Sequence, residues 1–263
     1  MKKPRVLLTG ASGRLGSVIL EDLSDVWDII PLSRRGGGGT VRCDLLSRED
    51  RKTLLGRDFD MVVNAAAVSS PSHCANNPAE SWILNTLWPR TLAEYCRRNA
   101  VQLIHFSTDL VYSGGTPPYS EASPAVPMSF YGWTKLVADI LVQKADTDAL
   151  IVRTSVLCGE TGSERTTFSE NLLSGRVQRV FVDSWRNHTP IHWLAGILPK
   201  LTKKEQSGLV IASGKYSQSR SAYAEALLKK HGQNTDHLVQ EYAPPGIPSR
   251  LHLKGKYYTS SIY

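Results

Sequence analysis

Residues 6–16 read Val-Leu-Leu-Thr-Gly-Ala-Ser-Gly-Arg-Leu-Gly, and this stretch decides the fold. An apolar strand runs into glycines at the spacing G-x-x-G-x-x-G, and a helical pattern follows. Glycine permits a tight turn and lets the backbone approach a pyrophosphate, whose charge is met by free amides at the helix N-terminus. We therefore predict a dinucleotide site here; a plain strand-to-helix turn is the alternative. The predicted contacts are Gly10, Ser12, Gly13, Arg14, Leu15 and Gly16.

The end of the second predicted strand bears on the choice between the two nicotinamide dinucleotides. A site for NAD usually has an acidic residue there, which bonds the ribose hydroxyls. Here the strand ends in Ser33, Arg34 and Arg35, and the planar cation of arginine suits a phosphate group. We predict that these residues hold the 2′-phosphate of NADPH, with NADH as the alternative cofactor. The other interpretation is that both arginines are solvated loop charges.

Short apolar runs alternate with helical patterns over the first 155 residues, which is typical of βαβ units that form a parallel sheet. Strands are predicted at residues 5–9, 27–32, 40–44, 60–64, 101–107 and 150–154, and helices at 14–23, 48–55, 78–99 and 129–144. Several strands are continuous apolar runs, as expected when helices cover both faces. The predicted fold is α/β, a Rossmann-type doubly wound parallel sheet with helices on both faces and a small C-terminal substrate-binding appendage.

The pattern changes after Thr154, where loops become longer. Strands are predicted at 180–182 and 208–212, an amphipathic helix carries apolar residues between 193 and 201, and another helix lies near 221–230. We therefore divide the chain into an NAD(P)-binding Rossmann domain over 1–154 and a mainly substrate-binding part over 155–263. Returning segments of the second part are expected to complete the Rossmann sheet.

Two local signals concern the ends of helices. Ser47 and Asp50 have the spacing of a capping box at the start of the helix at 48–55. Pro89 lies inside the predicted helix at 78–99, and we expect it to kink or restart that helix, because proline removes a backbone donor and clashes with the preceding turn.

The composition excludes several classes of protein. The net charge is +7, from 31 basic and 24 acidic residues, but the basic residues come as scattered pairs without interleaved aromatics, so we expect no nucleic-acid partner. No run approaches the roughly 18 apolar residues of a membrane span, so we expect no membrane partner and a cytoplasmic location. The four cysteines are far apart, which predicts neither a metal site nor disulfides.

Two further motifs lie beyond the glycine turn. Residues 107–112 read Ser-Thr-Asp-Leu-Val-Tyr at the end of a strand, and residues 131–135 read Tyr-Gly-Trp-Thr-Lys. With the glycine motif, they make the chain resemble the extended short-chain dehydrogenase/reductase superfamily and, within it, the dTDP-4-dehydrorhamnose reductase family. Other points of resemblance are Asp44-Leu45, the Asn64-Ala65-Ala66-Ala67 stretch, and Asn85. The resemblance implies cofactor contacts from Asp44, Leu45, Ala65, Ala66, Ala67, Asn85, Tyr131, Lys135 and Thr154.

The resemblance also implies a catalytic group made of Thr108, Tyr131 and Lys135. Tyr131 and Lys135 are four residues apart, which puts them on one face of a helix. A tyrosine hydroxyl titrates near about 10 and needs a neighbouring cation to pass its proton at neutral pH. We predict that Tyr131 gives its proton to the developing alkoxide and that Thr108 hydrogen-bonds that oxygen.

The residues after Thr108 help to choose a reaction. Sugar-nucleotide dehydratases that resemble this chain follow the threonine with Asp and Glu, whereas this chain has Asp109 and Leu110. An apolar side chain cannot exchange the second proton, so reduction is favoured over dehydration. Asp109 is taken as a catalytic residue, with a loop cap as the alternative. Arg186 is predicted to contact substrate, while His188 and His192 are expected to be polar loop or helix-start residues.

The sequence therefore predicts an NADPH-dependent oxidoreductase that reduces a nucleotide-linked 4-keto sugar. The substrate is a small sugar nucleotide, and a homodimer is the oligomeric state considered. An NAD-dependent sugar-nucleotide epimerase is the alternative enzyme. A regulatory subunit that resembles that of methionine adenosyltransferase is the alternative from another class, although binding alone would not need the proton relay.

Overall fold

The computed structural model of the protein describes residues 2–56, 58–202 and 206–260, so the outermost residues of the two predicted domains, Met1 and 261–263, lie outside it. Its strands are β1 (Arg5–Thr9), β2 (Asp28–Ser33), β3 (Val41–Arg42), β4 (Met61–Asn64), β5 (Gln102–Thr108), β6 (Leu150–Thr154), β7 (Val156–Cys158), β8 (Arg179–Phe181), β9 (Trp185–Pro190), β10 (Gly208–Gly214), β11 (Ser217–Ser219), β12 (Val239–Glu241), β13 (Arg250–Leu251) and β14 (Tyr257–Thr259). Its α-helices are α1 (Arg14–Leu23), α2 (Arg48–Leu54), α3 (Pro71–Asn76), α4 (Pro78–Trp82), α5 (Trp88–Asn99), α6 (Phe130–Ala145), α7 (Phe168–Leu173), α8 (Ile191–Gly196), α9 (Leu198–Leu201) and α10 (Arg220–Lys230). A π-helix (Ile83–Leu87) joins α4 to α5, and a 3-10 turn (Asp109–Val111) follows β5.

The main sheet has eight strands in the order β14-β10-β6-β5-β4-β1-β2-β3, and its neighbouring strands are parallel. The chain winds outward from β1 in one direction and from β4 in the other. This order confirms the predicted doubly wound α/β fold. The crevice outside the carboxyl ends of β1 and β4, where the winding reverses, is the place where such folds bind ligands.

Side chains of the sheet alternate between two apolar cores. In β1, Val6 and Leu8 pack in the core that contains Ile19 of α1, whereas Leu7 packs in the core that contains Trp88 and Leu92 of α5. All of these side chains are buried. Helices therefore cover both faces of the sheet, which explains why its strands are almost continuously apolar.

The prediction of a single helix at 78–99 is wrong. The structure has α4, the π-helix and α5 in its place, and it adds α3 just before them. Pro89 has no N–H to donate to the carbonyl of Asn85, so the backbone widens before it, and the Trp88 amide donates to the Ile83 carbonyl. The expectation that Pro89 disturbs the helix is confirmed.

A second proline divides another predicted helix. The apolar positions between 193 and 201 lie on two short helices, α8 and α9, that meet at Ile197. Pro199 lies in the first turn of α9, where a missing N–H is tolerated because that amide has no partner within the helix.

The capping box at α2 is only half formed. The Ser47 hydroxyl accepts from the Asp50 amide at 3.2 Å, as predicted. The Asp50 carboxylate, however, accepts from the Asp44 amide at 2.7 Å and not from the amide of Ser47. The reason is local, because the Ser47 amide already donates to the Asp44 carbonyl.

Beyond Thr154 the chain both extends the main sheet and builds smaller ones. Strand β10 pairs with β6, and β14 pairs with β10, so two late segments return to the main sheet. Strands β7, β9, β11 and β13 form a second sheet, and β8 pairs with β12. The four cysteines are buried. No helix in the described part of the chain has the length and apolar character needed to cross a bilayer.

Candidate active site

A groove of about 880 Å³ lies at the carboxyl edge of the main sheet, between the loops that follow β1 and β4. Its volume is within the range of small-molecule sites. The predicted cofactor residues that line it are Gly10, Ser12, Gly13, Arg14, Ser33, Arg34, Asp44, Leu45, Ala65, Ala66 and Ala67. Loops that are far apart in sequence therefore meet where the strand order reverses.

The glycine turn brings two backbones together under this groove. Gly10 has φ of +73°, in the left-handed region that favours glycine, and a Cβ there would lie 2.7 Å from the Ala66 nitrogen. Leu15 and Gly16, by contrast, are buried beneath the turn and do not line the groove. These two predicted contacts thus shape the turn from below.

The three residues predicted for the 2′-phosphate occupy different surroundings. Ser33 is buried, and its hydroxyl contacts Thr40 Oγ1 at 2.7 Å and accepts from the Gly36 amide at 3.0 Å. Arg34 lines the groove with its side chain 60% exposed, and its Nη1 lies 3.6 Å from Glu80. Arg35 is exposed and lies outside the groove lining. Of these three residues, Arg34 is the one that brings a cation into the groove.

Asn85 supports the groove wall without facing it. It is fully buried, its Oδ1 accepts from the Val68 amide at 2.8 Å, and its Nδ2 donates to the Val68 carbonyl at 3.0 Å. Its Nδ2 also donates to Thr134 at 3.1 Å, which ties the loop after β4 to α6. Thr154, at the end of β6, is buried, and its hydroxyl has no hydrogen-bond partner among the described residues.

Tyr131 and Thr108 meet where the start of α6 approaches the end of β5. Ser129 caps α6 by accepting from the Gly132 amide at 3.1 Å. A Cβ at Gly132 would collide with the Leu110 carbonyl, so glycine allows this close approach. Tyr131 is 7% exposed. Burial raises the pKa of its phenol above the ordinary value, and a side-chain hydrogen bond with Thr108 opposes that rise.

Lys135 lies one helical turn after Tyr131 and is 2% exposed. Its Nζ is 3.1 Å from the Nε2 of His105, a buried residue of β5. Burial lowers the pKa of Lys135 to about 8, and the charge of Asp139 acts in the opposite direction. A lysine with such a pKa can exchange a proton near neutral pH.

Asp109 and Arg186, predicted for different roles, form a buried ion pair with each other. Arg186 Nε lies 2.7 Å from Asp109 Oδ2, and Nη2 lies 2.5 Å from Oδ1. The Ser155 hydroxyl also donates to Asp109. The pair acts on Tyr131, because Asp109 raises the pKa of the phenol and Arg186 lowers it.

The two histidines near Arg186 are held by protein groups. His188 lies in β9, not in a loop, and its ring stacks on Tyr223 with centroids 3.7 Å apart. Burial, with help from Arg186 and Arg220, lowers the pKa of His188 to about 3. His192 contacts Asp22 at 2.8 Å and the Glu160 carbonyl at 3.1 Å, at the start of α8.

Residues 4–247 match the family model described as the RmlD substrate binding domain. The chain belongs to this family. It is 33% identical over 162 residues to the probable low-salt glycan biosynthesis reductase Agl14 of Haloferax volcanii, a match that covers 59% of this chain and 54% of that protein. It is 28% identical over 240 residues to the dTDP-4-dehydrorhamnose reductase of Mycobacterium tuberculosis, covering 88% and 77% of the two chains.

A solved structure has the same fold. The dTDP-4-dehydrorhamnose reductase of Bacillus anthracis, in complex with NADP, matches with a TM-score of 0.84 at 21% identity, covering 96% of this chain and 89% of that one. The chain spans about half the length of the Haloferax volcanii relative, because the match covers 54% of that protein. Membership in the RmlD family confirms the predicted resemblance.

The buried polar residues behind Lys135 were not predicted from the sequence. His105 lies in the middle of β5, in register with Asn64 at the end of β4. Asp139 and Arg153 pair at 3.0 Å between α6 and β6. A signal for one of them was available. In the run Leu-Ile-His-Phe, His105 is a polar side chain on the strand face opposite Ile104 and Phe106, which suggests a partner on the helix that covers that face.

Proposed function

We propose that the chain is an NADPH-dependent reductase of a 4-keto sugar carried on a nucleoside diphosphate. The observation that supports this most strongly is the convergence of Thr108, Tyr131 and Lys135 near the end of β5 in an RmlD family chain. The name of one relative also supports this proposal, since the Mycobacterium tuberculosis protein is a dTDP-4-dehydrorhamnose reductase.

The groove suits a phosphorylated dinucleotide. Ser12, Gly13 and Arg14 surround the start of α1, where backbone amides favour a pyrophosphate. Arg34 offers a guanidinium in the groove for the 2′-phosphate, which supports NADPH. When bound, NADPH supplies the hydride, and the Bacillus anthracis structure of similar fold holds NADP.

The chain's own residues supply the proton. Tyr131 donates it to the carbonyl oxygen of the substrate as that oxygen becomes an alkoxide, and Thr108 hydrogen-bonds the same oxygen. Because burial weakens the phenol as an acid, the cation of Lys135 is needed to stabilise the phenolate that remains.

The surroundings of Tyr131 favour reduction over dehydration. Both carboxylate oxygens of Asp109 face Arg186, and Leu110 has no titratable group. No second acid or base is therefore offered by this 3-10 turn. In the proposed mechanism, Asp109 and Arg186 position each other beside the phenol, and Arg186 also contacts the sugar of the substrate.

The test follows NADPH absorbance while the full chain is incubated with a panel of nucleotide-linked 4-keto sugars. We expect NADPH to be consumed in equal amount to a product with one new hydroxyl group. An epimerised product without net use of NADPH would favour the epimerase. Stoichiometric capture of another enzyme, with no turnover on the panel, would favour the regulatory subunit.

A further inference from the structure

Three polar residues form a row across the main sheet beneath Lys135. Thr9 is in register with Asn64, and Asn64 is in register with His105. Thr9 and Asn64 are the last residues of β1 and β4, and His105 lies in the middle of β5. All three are buried. Along each strand they alternate with residues of the core that contains Ile19 of α1, so they lie on the opposite face of the sheet, which α5 and α6 cover.

Hydrogen bonds in this row run in one direction. The Ala66 amide donates to Thr9 Oγ1 at 3.3 Å, and the Thr9 hydroxyl donates to Asn64 Oδ1 at 2.5 Å. The amide nitrogen of Asn64 then faces His105 Nδ1 at 2.9 Å and donates to it. If the Asn64 amide were reversed, its NH₂ and the Ala66 amide would both point at the Thr9 oxygen, and the Thr9 proton would lose its acceptor.

The direction of these hydrogen bonds fixes the His105 tautomer. Burial lowers the pKa of His105 well below its usual value, so the ring is neutral and carries one proton. Because Nδ1 accepts from Asn64, that proton is on Nε2, which lies 3.1 Å from Lys135 Nζ. An N–H at this position can donate to the neutral amine but not to the ammonium.

Other groups around Lys135 do not supply the same effect. On α6, Asp139 lies one turn further on and favours the ammonium, although Arg153 and Ser107 also engage its carboxylate. The remaining charged or titratable groups that act on Tyr131 are Cys74, Asp109 and Arg186. The His105 ring thus contacts the lysine directly and favours loss of its proton.

We propose that Thr9, Asn64 and His105 form a directional hydrogen-bond chain that lowers the proton affinity of Lys135 and so prepares it to return a proton to Tyr131. This inference rests on the proposed function for its role in turnover. After the phenol has given its proton to the substrate oxygen, Lys135 gives one N–H proton to the phenolate. The neutral amine accepts from His105 Nε2–H until solvent water returns a proton to it. His105, Asn64 and Thr9 are positioning residues in this scheme.

Two substitutions at His105 distinguish the roles of the two ring nitrogens. In His105→Gln the amide nitrogen can replace Nε2 as the donor to Lys135. In His105→Asn the shorter amide can replace Nδ1 and keep the bond to Asn64, but it does not reach the lysine. Thr9→Val, with nearly the same shape as the native residue, removes the hydroxyl that orients Asn64.

The experiment measures the pKa of Lys135 by NMR titration of the full chain carrying ¹³C-labelled lysine, with Lys135→Met identifying the signal. We expect the pKa to rise by about one pH unit in His105→Asn and Thr9→Val, since one hydrogen bond to the neutral amine is lost. In His105→Gln it should stay near the wild-type value. An unchanged or lower pKa in Thr9→Val overturns the inference, even if His105→Asn does not fold.

Turnover provides the second measurement and separates this inference from the proposed function. Activity needs the ammonium form of Lys135, so the alkaline limb of the kcat/KM profile should move upward in Thr9→Val by the same shift. If Tyr131-dependent turnover occurs but neither the alkaline limb of kcat/KM nor the pKa of Lys135 moves in Thr9→Val, the inference fails and the proposed function stands. If the pKa moves but the wild-type chain reduces no keto sugar, the hydrogen-bond chain stands and the proposed function fails.

Discussion

At the scale of single residues, the acidity of Tyr131 depends on its neighbours. Burial raises the pKa of the phenol, and Thr108 and Arg186 act against that rise. A phenol in this position is a poor acid until the alkoxide forms and a cation is close. The proposed mechanism needs this hydroxyl for proton transfer, whereas the dinucleotide's phosphates are expected beside the glycine turn at the start of α1.

Tyr131→Phe removes this proton while keeping the ring. We expect kcat to fall by about 10² to 10⁴-fold, the usual contribution of a general acid, while NADPH affinity stays within a few-fold. NADPH oxidation and a fluorescence titration of NADPH measure the two quantities. Tyr258→Phe is the matched control, because that tyrosine is 57% exposed. Turnover that survives in Tyr131→Phe would show that the proton comes from elsewhere.

Arg34 and Arg35 were both predicted from the sequence to hold the 2′-phosphate, but we expect their replacement to affect NADPH binding differently. Arg34→Ala should weaken NADPH binding by about tenfold or more, since a charged hydrogen bond to phosphate contributes on the order of 1.5–3 kcal/mol, and should leave NADH binding nearly unchanged. Arg35→Ala is the control, because Arg35 is outside the groove lining. Dissociation constants for both cofactors give the answer. An equal loss of NADPH and NADH affinity in Arg34→Ala would show that Arg34 does not hold the 2′-phosphate.

At the scale of elements, the strands of the main sheet were predictable, because several of them are nearly continuous apolar runs that must be buried on both faces. Predicted 5–9 and 150–154 coincide with β1 and β6. The helices around Pro89 and Pro199 were less predictable. Periodicity reports which residues share a face, but it does not show whether the backbone widens or breaks to accommodate a missing N–H. The hydrogen bonds between the Asn85 side chain and Val68, in the loop after β4, are likewise tertiary contacts that local periodicity does not reveal.

Asn85 connects the π-helix to that loop, and this connection can be tested. Asn85→Ala leaves the partly buried Val68 amide without its acceptor, while Cys74 Sγ still donates to the Val68 carbonyl, so we expect the free energy of unfolding to fall by about 1–3 kcal/mol for the unsatisfied amide. NADPH affinity should fall as well, because the loop lines the groove. Urea unfolding and NADPH titration measure both effects. Asn234→Ala, in an exposed turn, is the control; equal results for the two variants would show that Asn85 does not hold the loop.

At the scale of the whole molecule, the described segments after Thr154 are joined to the first part by more than sheet pairing. Strand β10 continues the main sheet beside β6, and Asp109, after β5, pairs with Arg186 in β9. The motifs allowed both residues to be singled out, but their pairing was not predictable. The partners are 77 residues apart, and no local pattern relates a strand end to a strand in another sheet.

The Asp109–Arg186 pair should therefore affect the stability of the entire chain. Removing one partner leaves an unpaired buried charge, so Asp109→Leu and Arg186→Met should each lower the free energy of unfolding by about 3–5 kcal/mol. Replacing both with apolar residues of similar volume removes both charges together, so the double variant should be more stable than either single one. Urea unfolding followed by circular dichroism measures all four proteins. Additive losses in the double variant would mean that the two side chains stabilise the fold independently and that the ion pair does not join these parts. Turnover should be lost in the double variant even where stability returns, because Asp109 and Arg186 both act on the phenol of Tyr131 and Arg186 is the proposed contact to the sugar.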